Sequence, residues 1–263
     1  MNRLDQTISK LQQQHRTGLI CYFTAGDPDF SQSVCLLSQL GRAGADIIEI
    51  GVPFSDPIAD GEIIQAAHAR ALHQGQTMLK TIQLIQQLRQ RDPSTPIVLM
   101  SYFNPVMQYG FEKLITATAL WIDGLILLDL PDEYKEKFQP VLQKHNIHLI
   151  AMTAPTTTPK RLAQITQQAT GFIYHVAENG TTGGVLNLPQ VKKKLAQIKP
   201  HCHIPVAVGF GISSETHVSA LANHVDFIII GSALVDTLFH QGISMTLQKV
   251  NRYAKLLRNP TVI

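Results

Sequence analysis

The sequence contains few cysteines, and they form no recognisable motif. Cys21, Cys35 and Cys202 are the three cysteines in 263 residues, and no two of them form a Cys-x-x-Cys pair. The disulfide framework of a small secreted domain has an even and more closely spaced set. This cysteine usage therefore predicts a protein of a reducing compartment, the cytoplasm.

Long apolar runs are also missing. No stretch approaches the roughly 18 consecutive apolar residues that a membrane span needs. Residues 1–16 lack the continuous apolar core of a signal peptide, and Leu4, Ile8 and Leu11 instead share one helical face. We expect no membrane segment, and a small N-terminal helix packed on the domain.

Neither sign of charge is in large excess. The 22 Lys and Arg residues against 19 Asp and Glu give a formal net charge of +3, and the basic residues are dispersed. The cluster at 192–194 falls in a helical pattern with Leu195 and Ile198, which indicates a solvated helix face. Because nucleic-acid-binding proteins carry a concentrated basic patch, that class is excluded.

Short apolar runs alternate with helical patterns from one end of the chain to the other. The runs are rich in β-branched and aromatic residues and too short for helices. They cover 18–24, 46–52, 96–102, 124–129, 148–153, 171–176, 205–210 and 226–231. Stretches with apolar residues at three- and four-residue spacing lie between them, among them 31–43, 77–90, 134–145 and 158–168.

Eight strand-then-helix units without a linker predict a parallel sheet closed into a barrel. The expected fold is α/β: a single (β/α)₈ TIM-barrel domain over 1–263, with an extra N-terminal helix. An open doubly wound sheet is the alternative. It would place Gly-x-Gly-x-x-Gly after the first strand, where this chain has Thr24-Ala-Gly-Asp-Pro.

A carboxylate interrupts the second apolar run. Because side chains alternate along a strand, Ile48, Ile50 and Val52 face the helices, and Glu49 points into the barrel near the mouth where chemistry gathers in this fold. An isolated buried carboxylate stays protonated or finds a partner. Two interpretations remain open: a structural Glu in a hydrogen-bond network, and an acid–base group with a raised pKa.

The loop after this run carries two further acids, Asp56 and Asp60, before a helix that starts near Glu62. Asp side chains often stabilise turns and cap helices. From spacing alone, helix capping and catalysis explain Asp60 equally well.

The last two loops of the barrel predict an anion site. Gly209-Phe-Gly-Ile-Ser-Ser and Gly231-Ser-Ala place Gly and Ser at helix N-termini, where backbone N–H groups receive anions. Loops after strands seven and eight often bind phosphate in this fold. No Lys or Arg occurs between Lys199 and Lys249, so we expect a phosphate there to be held mainly by backbone N–H groups.

Metal-ligand and nucleophile motifs are missing from the sequence. His201-Cys-His203 precedes the seventh strand, at the wrong end of the barrel for catalysis, and no Gly-x-Ser-x-Gly occurs. We therefore expect no metal site.

Six motifs together resemble one family. Glu49-Ile-Gly-Val-Pro-Phe-Ser-Asp-Pro-Ile-Ala-Asp-Gly is similar to the signature of tryptophan synthase α subunits. Matches of the same kind are Thr24-Ala-Gly-Asp-Pro, Tyr102-Phe-Asn-Pro, Asp129-Leu-Pro, Gly209-Phe-Gly-Ile-Ser and Gly231-Ser-Ala. The resemblance runs from about residue 5 to residue 257.

The resemblance implies a lyase that cleaves indole-3-glycerol phosphate to indole and glyceraldehyde 3-phosphate without metal or organic cofactor. It implies that Glu49 is the general acid–base residue and that Asp60, a more solvated carboxylate, holds the indole N–H. Tyr174 matches a tyrosine beside that acid. The residues matching the indole pocket are Tyr22, Met100 and Phe210, and those matching the phosphate site are Gly183, Gly211, Gly231 and Ser232.

The same resemblance implies a partner. Pro53, Asp56 and Asn104 match positions that the family uses to contact its β subunit, so a tetramer of two α and two β subunits that channels indole is expected. A stand-alone lyase that releases free indole remains an alternative. So does a catalytically weak barrel kept as an activator of a β-like partner.

One segment departs from the family pattern. Family members usually carry Ser-Arg-x-Gly-Val-Thr-Gly after the sixth strand, whereas this chain has Ala177-Glu-Asn-Gly-Thr-Thr-Gly183. The arginine of the closing loop is missing and Glu178 adds an acid, so we expect weaker loop closure and weaker coupling to a β partner.

Overall fold

The computed structural model describes residues 2–177, 187–209 and 211–258, with residues 132 and 133 described in their backbone only. Its strands are β1 Gly18–Thr24, β2 Ile47–Gly51, β3 Ile97–Ser101, β4 Gly124–Leu127, β5 His148–Leu149, β6 Ala151–Thr153, β7 Ile173–Val176, β8 Val206–Gly209 and β9 Phe227–Ile230. They form one sheet in the order β5-β4-β3-β2-β1-β9-β8-β7-β6, and every pair in it is parallel.

The two ends of this order belong to one interrupted strand. Only Ile150 separates β5 from β6, and its N–H continues the ladder by donating to the carbonyl of Leu125 over 2.9 Å. Since β5 pairs with β4 and β6 pairs with β7, the sheet closes on itself. The predicted α/β barrel of eight strands is confirmed.

Helices surround this barrel. They are α1 Arg3–Gln13, α2 Phe30–Leu37, α3 Leu40–Ala43, α4 Glu62–His73, α5 Met78–Arg91, α6 Phe103–Tyr109, α7 Phe111–Thr118, α8 Asp132–Lys144, α9 Pro159–Gln168, α10 Leu188–Ile198, α11 Glu215–Leu221 and α12 Ser232–Arg258, with a 3₁₀ turn at Lys199–His201. The strands β1, β2 and β3 are buried along their whole length, and this is why their sequences are nearly continuous apolar runs.

The N-terminal helix closes the end of the barrel away from the strand C-termini. Asn2 caps it in a capping box with Asp5, and Leu4 and Leu11 are buried. Arg3 Nε donates to the carboxylate of Asp123, which directly precedes β4, over 3.1 Å. The predicted amphipathic helix is therefore part of the barrel's floor.

The last helix is not straight. Gly242 has φ 78° and ψ −178°, so the chain turns there and α12 consists of two helical halves. A left-handed φ of this kind is one that glycine adopts without strain. The turn brings the second half back toward the first, and Lys249 Nζ of the second half donates to the carbonyl of Ala233 in the first over 3.0 Å.

Candidate active site

A cavity of about 410 Å³ opens at the C-terminal ends of the strands, the end of the barrel where this fold carries its chemistry. It brings together eight of the residues singled out from the sequence: Tyr22, Glu49, Asp60, Met100, Tyr174, Gly211, Gly231 and Ser232. Further lining residues include Gly61, Ile64, Ile212, Asp236 and Lys249. A largely apolar wall with a few convergent polar groups is typical of a small-molecule site.

Glu49 lies in the middle of β2, opposite Tyr22 of β1 and Val98 of β3. It is 1% exposed, and its Oε2 atom has no hydrogen-bond partner among the described residues. Burial first, and then the charge of Asp60, raises the pKa of Glu49 to about 8. Of the two interpretations left open by the sequence, the acid–base group with a raised pKa fits better than a Glu satisfied by a network.

Asp60 is buried, being 6% exposed, so the expectation of a more solvated loop carboxylate is wrong. Tyr102 donates its hydroxyl hydrogen to Oδ2 of Asp60 over 2.8 Å, and the backbone N–H of Ala59 donates to the same hydroxyl over 2.9 Å. The N-cap of α4 is Gly61, without a side-chain capping bond. Helix capping therefore does not explain Asp60, and its carboxylate is held in the cavity wall instead.

His68 is a site residue that the sequence reasoning missed. It lies on the buried face of α4, 2% exposed, with its Nε2 atom 3.5 Å from Oδ2 of Asp60. Its Nδ1 atom accepts the backbone N–H of Phe54 over 3.0 Å. The only signal in the sequence is the position of His68 on the same helix face as Ile64 and Ala71, which is equally typical of a packed core residue.

Two glycines leave room for the tyrosine rings that cross the cavity. A Cβ atom on Gly51 would lie 2.2 Å from the hydroxyl oxygen of Tyr22, and one on Gly209 would lie 2.5 Å from that of Tyr174. Burial raises the pKa of both phenols well above the usual value, with Asp60 adding to the effect on Tyr22 and Glu49 to that on Tyr174. Both phenols therefore stay neutral over the range in which enzymes work.

The far end of the cavity has the features of an anion site. Gly231 precedes α12, and the N–H groups of Ser232 and Ala233 lie in its first turn, where a helix supplies no acceptor. On the other side, Gly211 has φ 75°, a left-handed conformation that exposes its backbone toward the cavity.

A cation also reaches this end, which was not foreseen from the sequence; the expectation that backbone N–H groups mainly hold the phosphate stays a prediction. Lys249 lines the cavity, and its Nζ donates to the carbonyl of Ala233 over 3.0 Å and to the hydroxyl of Thr237 over 2.9 Å. These bonds use two of its three N–H donors. The turn at Gly242 carries Lys249 back to the start of the helix, which spacing along the sequence does not reveal.

Comparison with known proteins identifies the family. The family model of the tryptophan synthase alpha chain matches residues 8–261. The chain belongs to the tryptophan synthase alpha chain family.

Solved structures of tryptophan synthase alpha chains have the same fold over the same length. One from Legionella pneumophila subsp. pneumophila matches with a TM-score of 0.91 at 33% identity, covering 100% of both chains. The subunit alpha from Legionella pneumophila str. Paris matches with a TM-score of 0.91 at 34% identity, covering 98% of this chain and 99% of that one. A tryptophan synthase structure from Mycobacterium tuberculosis matches with a TM-score of 0.89 at 31% identity and 98% coverage of each chain.

Two residues matched to the alpha-chain site lie outside the described part of the chain: Phe210 and Gly183. The departing segment from Glu178 to Gly183 also lies outside it, so the expectation of weaker loop closure stays a prediction.

The residues matched to the partner surface of alpha chains do not share one environment. Asp56 and Asn104 are exposed, and Ser55 donates its hydroxyl hydrogen to Asp56 over 2.6 Å. Pro53 is buried at the base of the same loop, so a direct contact with a partner is not open to it in this conformation. Ile58, at the tip of the loop, is 83% exposed.

Within the described ranges, no helix is long and apolar enough to cross a membrane.

Proposed function

We propose that the cavity between Glu49, Asp60 and Lys249 carries out the reaction of the tryptophan synthase alpha chain family. Members of this family are lyases that cleave indole-3-glycerol phosphate. The observation that carries the proposal is the placement of two buried carboxylates in one cavity whose opposite end presents a helix N-terminus and a lysine.

Glu49 is the proton carrier in this proposal. With a pKa raised to about 8, it is mostly protonated at neutral pH and can donate. It gives its proton to the indole ring carbon that bears the side chain. It then takes up the hydrogen of the adjacent hydroxyl as the carbon–carbon bond breaks, the bonding electrons return to the ring, and the hydroxyl carbon becomes the aldehyde. One proton is given and one recovered, so the step balances without a cofactor.

Asp60 accepts the indole N–H. Protonation of the ring places positive charge on the nitrogen, and a fixed carboxylate stabilises that charge more in the transition state than in the bound substrate. The hydrogen bond from Tyr102 holds this carboxylate in place before the substrate arrives. Tyr22, Met100 and Tyr174 supply the apolar walls against which an indole ring packs.

The anion end binds the phosphate of the substrate. The free N–H groups at the start of α12 and the ammonium of Lys249 attract it, and the binding energy positions the reacting bond beside Glu49. Asp236 also lines this end of the cavity, where its negative charge would repel a phosphate. The positive charge of Lys249 compensates for this repulsion.

The chain works in the cytoplasm with a β subunit in this proposal, as one half of a tetramer of two α and two β subunits. The exposed side chains of Asp56, Ile58 and Asn104, all beside the mouth of the cavity, support the assignment of this face to the partner. A partner seated there would cover the cavity mouth and receive the indole.

The test is an assay of the purified chain with indole-3-glycerol phosphate, in which indole and glyceraldehyde 3-phosphate are measured separately. We expect equal amounts of both products, and faster formation when a β subunit is added. Analytical ultracentrifugation of the mixture should show a four-chain complex. No cleavage in either condition would refute the lyase assignment, whereas cleavage without complex formation would refute only the partner.

A further inference from the structure

The surroundings of His68 determine which of its two ring nitrogens carries the hydrogen when the ring is neutral. The backbone N–H of Phe54 points at Nδ1 over 3.0 Å, so Nδ1 must present a lone pair. In the neutral ring the proton then lies on Nε2, which makes that nitrogen a donor.

The donor end of the ring faces two acceptors. Nε2 lies 3.5 Å from Oδ2 of Asp60 and 3.5 Å from the hydroxyl oxygen of Tyr22. Tyr22 in turn lies 3.3 Å from the hydroxyl of Thr24, and all four side chains are buried. The His68 ring thus contacts Phe54 on one side, and Asp60 and Tyr22 on the other.

The contacts to Asp60 fall on one oxygen. Tyr102 and His68 both approach Oδ2, from the loop after β3 and from α4 respectively. Tyr102 makes a hydrogen bond to this oxygen, whereas the His68 ring lies 3.5 Å away, close enough for an electrostatic contact but longer than an ordinary N–H···O bond. Since both neighbours lie at Oδ2, we expect Oδ1 to be the oxygen that meets a donor in the cavity.

We infer that His68, as its Nε2–H tautomer and together with the Tyr22 hydroxyl, is a positioning residue that orients the Asp60 carboxylate so that Oδ1 meets the ring N–H of the substrate. This inference rests on the proposed function for its substrate. It assigns a role to two side chains that the acid–base chemistry itself does not use.

The competing explanation is that His68 only ties Phe54 to α4. Two substitutions separate the ends of the ring. His68→Asn keeps an acceptor at the δ position for the Phe54 N–H but has no donor at the ε position, whereas His68→Gln places an amide donor at the ε position and loses the δ acceptor. His73→Asn, an exposed histidine of the same helix, is the matched control.

The first measurement is steady-state cleavage of indole-3-glycerol phosphate by the full chain, with thermal melting of each variant alongside. Loss of the Nε2 contacts with the Tyr22 hydroxyl and the Asp60 carboxylate supports an expected loss of about tenfold in kcat for His68→Asn, with KM changed far less, and substantial recovery in His68→Gln. Tyr22→Phe should lower kcat as well, and the double variant should lose less than the product of the two single losses because both act on one carboxylate. Wild-type kcat in a folded His68→Asn variant would overturn the inference.

The second measurement does not need turnover. Long-range ¹H–¹⁵N spectra of the histidine rings report the tautomer, and we expect the Nε2–H form at His68. Calorimetry with a non-cleavable analogue that lacks the hydroxyl next to the ring should show binding to His68→Asn that is weaker than to the wild type or to His73→Asn by a small factor, in keeping with the small change in KM. If the wild type cleaves nothing but these two results hold, the proposed function fails and the positioning role stands. An Nδ1–H tautomer, or equal affinities, would contradict the positioning role itself.

Discussion

Tyr102 holds the loop of Asp60 at two points, donating to the Oδ2 atom of that carboxylate over 2.8 Å and accepting the backbone N–H of Ala59 over 2.9 Å. Burial, and then the charge of Asp60, raises the pKa of Tyr102, so the phenol remains a hydrogen-bond donor throughout the working range. The loop after β2 is therefore fixed to the loop after β3 before any substrate binds. Preorganisation of this kind is what makes a carboxylate effective against charge that develops during a reaction.

Removing the Tyr102 hydroxyl tests this fixation. Tyr102→Phe deletes both bonds and leaves the ring, so we expect a loss of about 1 kcal/mol in unfolding free energy and a clear fall in kcat. Denaturant unfolding and the indole assay measure the two effects. Tyr109→Phe, a phenol on α6 away from the cavity, should change neither. A fall in stability without a fall in kcat would show that the orientation of Asp60 does not limit the reaction.

The raised pKa of Glu49 predicts a pH dependence of rate. Because the group donates a proton to the ring, its neutral form is the active one. Below about pH 8 the group is protonated, so its contribution to kcat/KM should be level, and above that pH kcat/KM should fall about tenfold per unit. Profiles of kcat/KM from pH 6 to 10 would test this. A level profile through pH 9 would mean that the proton comes from another group.

The same pKa predicts a pH dependence of stability. The folded-state pKa of Glu49 is raised to about 8 from an ordinary value of 4.5, so between these values the folded chain binds a proton that the unfolded chain has released. Its contribution to stability is fully present below pH 4.5 and is lost as the pH rises through 8, at up to about 1.4 kcal/mol per unit. Glu49→Gln lacks this dependence, so its unfolding free energy should rise relative to that of the wild type as the pH increases from 4.5 to 8. A constant difference between the two unfolding free energies from pH 5 to 8 would contradict the raised pKa.

Lys249 should matter for binding more than for chemistry. Lys249→Met removes the ammonium near the start of α12, so we expect KM for the phosphate substrate to rise about tenfold while kcat changes little. Lys249→Arg, which keeps the charge, should retain more of the affinity, and Lys255→Met tests the loss of an exposed lysine from the same helix. An unchanged KM in Lys249→Met would show that Lys249 does not contribute to phosphate binding.

Patterns within single elements were readable from the sequence. The run at 46–52 alternates around Glu49, and this alone placed the carboxylate inside the barrel, where the structure has it. The interrupted strand of β5 and β6 was also readable as one run, since its break is a single residue.

Contacts between segments that are distant along the chain could not be predicted from the sequence. The burial of Asp60 depends on Tyr102, which is 42 residues away on another loop. Lys249 reaches the cavity only because the backbone reverses at Gly242, and since an isolated glycine is tolerated inside a helical pattern, this glycine alone does not indicate a turn. His68 has the spacing of an ordinary buried helix residue, and only its three ring contacts show what it does.

The most direct measurement of the central claim is the rate of indole release from indole-3-glycerol phosphate by Glu49→Gln. The amide keeps the shape of the side chain and cannot carry the proton, so we expect the rate to fall roughly 10²- to 10⁴-fold with the fold intact. Glu112→Gln, an exposed acid on α7, should keep the wild-type rate. Retention of more than half of the wild-type rate by a folded Glu49→Gln would show that the buried carboxylate of β2 is not the acid–base group.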